Sequence, residues 1–371
     1  MKKVFKNDYA KSLLISGILC FIVLMIVSPI SCRLTEEGIE IIPADTNAPS
    51  ILSFSVTGER LLNLSCSEKI VLDQLTVREF QGESSDEGDL FLLEEEPYAY
   101  ADCITYSENM MDAEIYLSES TRVGKEYVLS GIVYDRSGNS LEFSQQFSGF
   151  NANPARLVLS EVRYNSSKPK KTEFVEFYVL KSGNLSGLEF VSAANPKRKY
   201  VFPAIEVKRG EYIALHGQVY DGMEYNAIDE LENDLTLSTA TESCDTGREL
   251  WRKFTDKFVS KTDVILLRDS CKNKIMDALL WTSVEGSEWS KNLKELAEEV
   301  QIAGFWENAL SPENAFRTET IKSSAVKSLA RQNILLLAEK YPESEEIPDV
   351  IPANACDWAV ASSATPGYKN K

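Results

Sequence analysis

Only one histidine, His216, occurs in the 371 residues, which argues against a histidine-rich zinc site and leaves any histidine-based triad dependent on that single ring. No C-x-x-C spacing occurs, so a zinc ribbon or a thioredoxin-like redox site has no support. No G-x-S-x-G, H-E-x-x-H or P-loop pattern occurs either, which removes the best-defined hydrolase, metalloprotease and nucleotide signatures. The chain has only 13 Pro and 18 Gly, too few for a fibrous repeat. Basic charge is also in short supply. The formal net charge is −18, and because the first 31 residues carry +3 (Lys2, Lys3, Lys6 and Lys11 against Asp8), the remainder carries −21. Such a surface repels phosphate backbones and excludes nucleic acid as a default partner. What is present suits a globular protein: 43% apolar, 10% aromatic and 26% charged residues, enough for a sizeable core.

The start is organised for export. Basic Met1–Lys11 precedes an almost uninterrupted apolar run from Leu13 to Ile30, and Ser31-Cys32 follows. A small residue directly before a cysteine at the end of such a run resembles the lipobox of bacterial lipoproteins. The resemblance implies cleavage before Cys32 and lipid on that residue, anchoring the protein to a membrane. The family's usual Leu three positions before the cysteine is Pro29 here. The alternative is an uncleaved anchor, since roughly 18 apolar residues begin to span a bilayer. Both readings place the remainder outside the cytoplasm, in the bacterial cell envelope. The polar stretch from Cys32 to residue 46 then serves as a tether.

Without its first 31 residues the chain suits two domains at roughly 100–200 residues each. From Ile51 it breaks into short stretches rich in β-branched and aromatic residues, separated by Gly, Asn, Asp and Ser, the rhythm of a β-sandwich. Leu62, Leu64 and Cys66 share one phase, as do Leu141, Phe143 and Phe147. Tyr127–Tyr134 is apolar on both phases and is therefore expected at the centre of a sheet. Asp135–Asn139 reads as a turn, with Gly138 supplying positive φ. Ala48-Pro49, Ser67–Ile70 and the Leu129–Leu141 segment resemble bacterial immunoglobulin-like modules over residues 47–150. The acidic loop of Glu83, Asp86, Glu87, Asp89 and Glu94–Glu96 lacks EF-hand ligand spacing and reads as solvated rather than calcium-binding. No metal or cofactor is expected.

After a break at Phe150–Pro154, residues 154–371 are again β, without βαβ alternation. Leu159–Val162, Glu173–Tyr178, Asn184–Leu188, Tyr200–Pro203, Gly210–Leu215, Asp263–Leu267, Ile275–Ala278, Ser328–Arg331, Asp357-Trp358 and Thr365–Gly367 with Asn370 resemble, in order and spacing, the lamin-tail domain. Leu188 stands where that family usually has Trp, and insertions occupy about 220–258 and 282–321. The fold class expected is therefore all-β: two immunoglobulin-like β-sandwiches in tandem, the second carrying insertions that include a short helix. Leu293, Leu296, Ala297 and Val300 recur at helical spacing, placing that helix in the second insertion, where it is expected to cap an open end of the sandwich.

In an oxidising compartment, candidate disulfides within each domain are Cys66 with Cys103 and Cys244 with Cys271, leaving Cys356 over; the sequence leaves the connectivity open. Trp289 and Trp306, on the second insertion, are candidates for an exposed binding surface. Glu161, Glu173 and Glu176 suggest paired carboxylates for glycoside hydrolysis, but their strand positions favour solvent-facing or turn-bonded side chains, and His216 reads as a loop or edge residue. The functional expectation is a lipid-anchored, non-catalytic binding or structural module for an envelope protein or polysaccharide, held to the membrane through its anchor. The competing expectation is an exported hydrolase with an unrecognised carboxylate site.

Overall fold

In the computed structural model, residues 30–35, 38–43, 45–81, 92–93, 96–167, 171–197, 199–269, 274–283, 288–322 and 324–370 are described. The protein is all-β, with two sandwich-like sheet systems in tandem. Residues 1–29 of the leader lie outside the described residues. From the end of the leader into the stretch read as a tether, Ile30–Thr35 and Gly38–Pro43 pair as an antiparallel hairpin, with Cys32 opposite Ile41. Among the described residues no helix is long and apolar enough to cross a membrane.

The first sheet system follows one path: Ser140–Ser148, Glu126–Tyr134, Val71–Gln81, Ala99–Tyr106, Asp112–Leu117, Leu61–Cys66, Ile51–Gly58. Alternation explains its core. Leu62, Leu64 and Cys66 are buried while Leu61, Asn63 and Ser65 are only partly covered. Glu126–Tyr134, apolar on both phases, pairs on both sides and is central as its pattern implies. The Asp135–Asn139 turn closes its hairpin: the Asn139 amide donates to Asp135 Oδ1 at 2.8 Å, and Gly138 takes φ 90°.

A second core lies between two further sheets. Six strands run in the order Arg248–Trp251, Tyr212–His216, Phe174–Lys181, Arg156–Arg163, Ser328–Arg331, Trp358–Ala361. The facing sheet runs Tyr200–Val201, Leu188–Ser192, Asp263–Asp269, Lys274–Thr282, Phe316–Arg317. Phe177 lies edge-on to both Phe190 and Phe202, at 5.9 and 5.3 Å between ring centroids.

Both insertions are part of this architecture. The first supplies the strand Arg248–Trp251, which pairs parallel to Tyr212–His216. The second forms the helix Lys291–Ile302 that its spacing predicts, with Ala297 and Val300 buried. The helix does not cap a sandwich end. It packs on Asp263–Asp269 and Lys274–Thr282, two strands buried on both phases, because the apolar positions of the insertion find an equally apolar outer sheet face to cover. The two sheet systems meet through polar contacts: the Gly124 amide donates to Ser186 Oγ at 3.0 Å, and Asn151 Nδ2 to the Ser186 carbonyl at 2.8 Å.

Candidate functional site

In the six-stranded sheet Leu157, Leu159, Val175, Phe177, Ile213 and Leu215 face the core. A bulge between Leu159 and Glu161 shifts the phase, so Glu161 and Arg163 turn to the outer face with Phe174, Glu176 and His216. Cross-strand register then assembles two rows from residues far apart in sequence. In one, Glu161 lies opposite Glu176, Glu176 opposite Ala214, and Ala214 opposite Glu249. In the other, Arg163, Phe174, His216 and Trp251 are successive neighbours. The Arg163 guanidinium sits 4.9 Å over the Phe174 ring, and His216 stacks on Trp251 at 3.9 Å.

This face is fully covered. Glu161, Glu173, Glu176, His216 and Glu249 are all 0% exposed. His216 Nε2 bonds Glu249, and its Nδ1 lies 3.1 Å from Thr172 Oγ1. The other Glu249 oxygen accepts the Cys244 amide at 3.0 Å. The C-terminal tail crosses the carboxylate row: the Thr365 amide donates to Glu161 at 2.9 Å and the Gly367 amide to Glu176 at 2.6 Å. Ser328 donates its hydroxyl to Glu161, and the Phe258 amide donates to Glu173. Burial, with the nearby Glu161 charge, pushes the Glu176 carboxyl well above the usual range, and its Oε1 makes no hydrogen bond. Burial raises Glu161 too, partly offset by its bonds from Ser328 and Thr365, and lifts Glu173 to about 7.

A hydroxyl, an imidazole and a carboxylate in line resemble the parts of a nucleophilic triad. Here, however, the carboxylate holds Nε2 and the hydroxyl holds Nδ1, the reverse of the serine-protease order. None of these side chains lines the main clefts. The arrangement fastens the insertion and the tail to the sheet, with Thr172, His216 and Glu249 all buried.

Several sequence expectations are corrected. His216 is neither loop nor edge: it ends a strand that has neighbours on both sides. The three glutamates are bonded to backbone as expected but face no solvent, because the insertion and tail cover them. Trp289 and Trp306 form no exposed platform; they are 8% and 1% exposed, with indole N–H groups donating to the carbonyls of Ala309 and Asn314. They fill the space between the inserted segment and the sheet it covers. Cys66 and Cys103 are both free thiols. Their strands are separated by Asp112–Leu117, about 9–10 Å at ordinary strand spacing, beyond the roughly 7 Å that a disulfide spans. Cys66 also faces the core while Cys103 faces solvent. Cys244 is free, and Cys271 lies outside the described residues, as does the acidic loop except for exposed Glu96.

The sequence reading missed Thr172, Glu249, Arg163 and the buried ion pair of Asp277 with Arg331 at 2.6 Å. A signal was available: Leu-Ser-Glu-Val-Arg, Phe-Val-Glu-Phe and Arg-Glu-Leu-Trp place charged residues inside strands that are otherwise largely apolar on both phases.

Two of the open clefts bear on function. A groove of about 640 Å³ lies beside the inserted helix. Ile275, Ile302, Ala303, Phe305 and Val350 line it with Glu295, Glu298, Glu299, Asp349 and Lys274, and Ile302 is 81% exposed. Lys274 is bound to Asp349 at 2.8 Å, and Arg268 reaches Glu299. The other cleft, about 570 Å³, lies between the sheet systems and contains Glu126 and Glu189. Glu189 is held by Lys199 at 2.6 Å and Glu126 by the Ser148 hydroxyl at 2.5 Å; burial raises the Glu126 carboxyl.

Two facing sheets, a polar outer face closed by an insertion and the tail, and a helix laid on the opposite sheet define the second unit as a covered β-sandwich. The chain belongs to the family described as "protein second domain" (TP_1001_2nd), whose model matches residues 155–360. It is 32% identical over 190 residues to an uncharacterized protein of Treponema pallidum (strain Nichols), a match covering 50% of this chain and 47% of that protein. The chain thus spans about half the length of that relative. Solved structures that it resembles weakly include the N-terminal part of the bacterial S-layer protein SbsC, at 13% identity and TM-score 0.23 over 64% of this chain and 45% of that one. Domains 1–6 of SbsC align at 11% identity and TM-score 0.24, over 66% and 42% respectively. Scores of this size do not amount to a shared fold.

Proposed function

We propose that this protein is a non-catalytic binding module of the bacterial envelope, lipid-anchored through Cys32 and engaging a partner through the groove beside the helix Lys291–Ile302. One observation carries the reading. The histidine and the glutamates that a hydrolase would use are buried and committed to closing the sheet, whereas the inserted helix presents Ile302 to solvent beside an open groove. With Trp289 and Trp306 buried and Phe305 only 2% exposed, the groove offers no exposed aromatic ring among the described residues for a sugar to stack on, which favours a protein over a polysaccharide. The order of basic, apolar and Ser-Cys segments supports the anchor. The second unit is a lamin-tail-like domain in this reading, which the order and spacing of its strand motifs support.

Deleting the insertion outright is a poor test, because Phe305, Trp306 and Ile321 belong to the main core. Crosslinking in the native envelope, followed by capture, tests the reading with a point change: Ile302→Ser should abolish recovery of the partner while leaving the melting temperature in place. Unchanged recovery would refute it. Fatty-acid labelling that is equal in wild type and Cys32→Ala would refute the anchor.

The hydrolase reading retains one specific observation, Glu126 and Glu189 in the same cleft. Turnover on polysaccharide or peptide that disappears in Glu126→Gln would establish it in place of the binding reading.

A further inference from the structure

Building on the binding reading, we infer that the groove beside the inserted helix takes an amphipathic protein segment carrying lysine or arginine. The helix itself shows what is missing. A helix C-terminus bears partial negative charge, and a basic side chain is its usual companion. Here the last turn has no basic residue and contains Glu299, with Glu298 directly before it. Glu299 is drawn to Arg268 from the sheet below. Glu298 remains exposed, and Glu295, also exposed, stands three residues before it on the same helix face. Its ion pair with Lys291 spans 3.8 Å between two largely exposed side chains. Ile302, four residues beyond Glu298, completes the same stripe and is the most exposed apolar side chain of the groove.

Like charges three residues apart and a last turn without a cation weaken the helix, and the uncovered isoleucine contributes no burial in the isolated protein. A partner that lays an apolar side chain on Ile302 and cations against Glu295 and Glu298 relieves all three at once. The mode is a helix-in-groove or extended-segment contact with electrostatic selection. An anionic lipid surface is repelled by the same rim. A second copy of this chain, with a formal net charge of −18, is repelled as well.

The test uses the full chain in detergent and fluorescently labelled designed amphipathic peptides that share one leucine face, their polar faces being lysine, glutamine or glutamate. The lysine peptide should bind about tenfold or more tightly than the glutamine peptide and weaken as salt rises, while the glutamate peptide should not bind. Ile302→Ser and Glu298→Lys should each weaken the lysine peptide about tenfold or more. Glu298→Lys should melt close to wild type, since the position is exposed and the change removes the like-charge neighbour of Glu295; a variant that binds less without unfolding separates ligand contact from fold. Equal binding of the lysine and glutamine peptides, both lost in Ile302→Ser, would overturn the charge inference and leave the groove as a binding site. Lysine-peptide binding that neither substitution changes would be generic attraction to an acidic protein and would overturn the inference. Absence of binding by all three peptides would overturn it too, and the crosslinking experiment above then decides the binding reading separately.

Discussion

The His216 ring lies parallel to the Trp251 indole, 3.9 Å between centroids and 9° between planes, with its Nε2 bonded to buried Glu249. The pair joins the strand Tyr212–His216 to the strand Arg248–Trp251, so it locks the segment of about 220–258 into the sheet. His216→Ala removes both the stacking and the partner of a buried carboxylate. Breaking a buried pair on one side typically costs about 3–5 kcal/mol, and chemical denaturation should report a loss of that order. A loss below about 1 kcal/mol, typical of exposed pairs, would mean that Glu249 is not held as described.

The C-terminal tail serves the same purpose for the other row. Truncation before Thr365 removes the amide donors to Glu161 and Glu176 and the Asn370 bonds to Ser160 and Arg331. Each buried acceptor left without its donor costs about 1–3 kcal/mol. A melt of the truncated chain should show the second unit unfolding earlier and the first unit unchanged. Equal shifts in both would argue against two independently cooperative units.

Acidification should stabilise the second unit over part of the pH range. Burial raises Glu173 and Asp263 to about 7, and Glu176 is raised as well. An acid whose folded pKa is raised holds its proton more tightly in the folded state. Its contribution is therefore whole below the unfolded-state value and is lost as pH rises through the folded one. Between pH 5 and 7.5 stability should fall as pH rises, and Glu173→Gln should flatten that slope by up to about 3 kcal/mol across the window. Denaturation midpoints that climb with pH in wild type would contradict this.

Thiol accessibility distinguishes the two cysteines of the first unit. Exposed Cys103 and Cys356 should react with maleimide in the folded protein, whereas Cys66, at 0% exposure and with its thiol pushed up to about 11, should react only after denaturation. A mass corresponding to a Cys66–Cys103 bridge would contradict the strand arrangement.

Local pattern alone determined the all-β class, the central position of Glu126–Tyr134, the Asp135–Asn139 turn and the helix Lys291–Ile302. Each depends on neighbours within a few residues, where alternation, helical spacing and turn chemistry operate. The fate of the charged residues was decided elsewhere. Alternation reveals that Glu161, Glu176 and His216 leave the core face, but not what lies over the other face. That cover comes from Cys244 and Glu249 in one insertion and from Thr365 and Gly367 in the tail, which reaches Glu176 across 191 residues of chain. The same holds for Trp289 and Trp306, whose burial required a sheet face left open by strands apolar on both sides. Strand order likewise kept Cys66 and Cys103 apart. Register and layer packing are long-range properties, and only the folded chain brings together the residues whose chemistry depends on them.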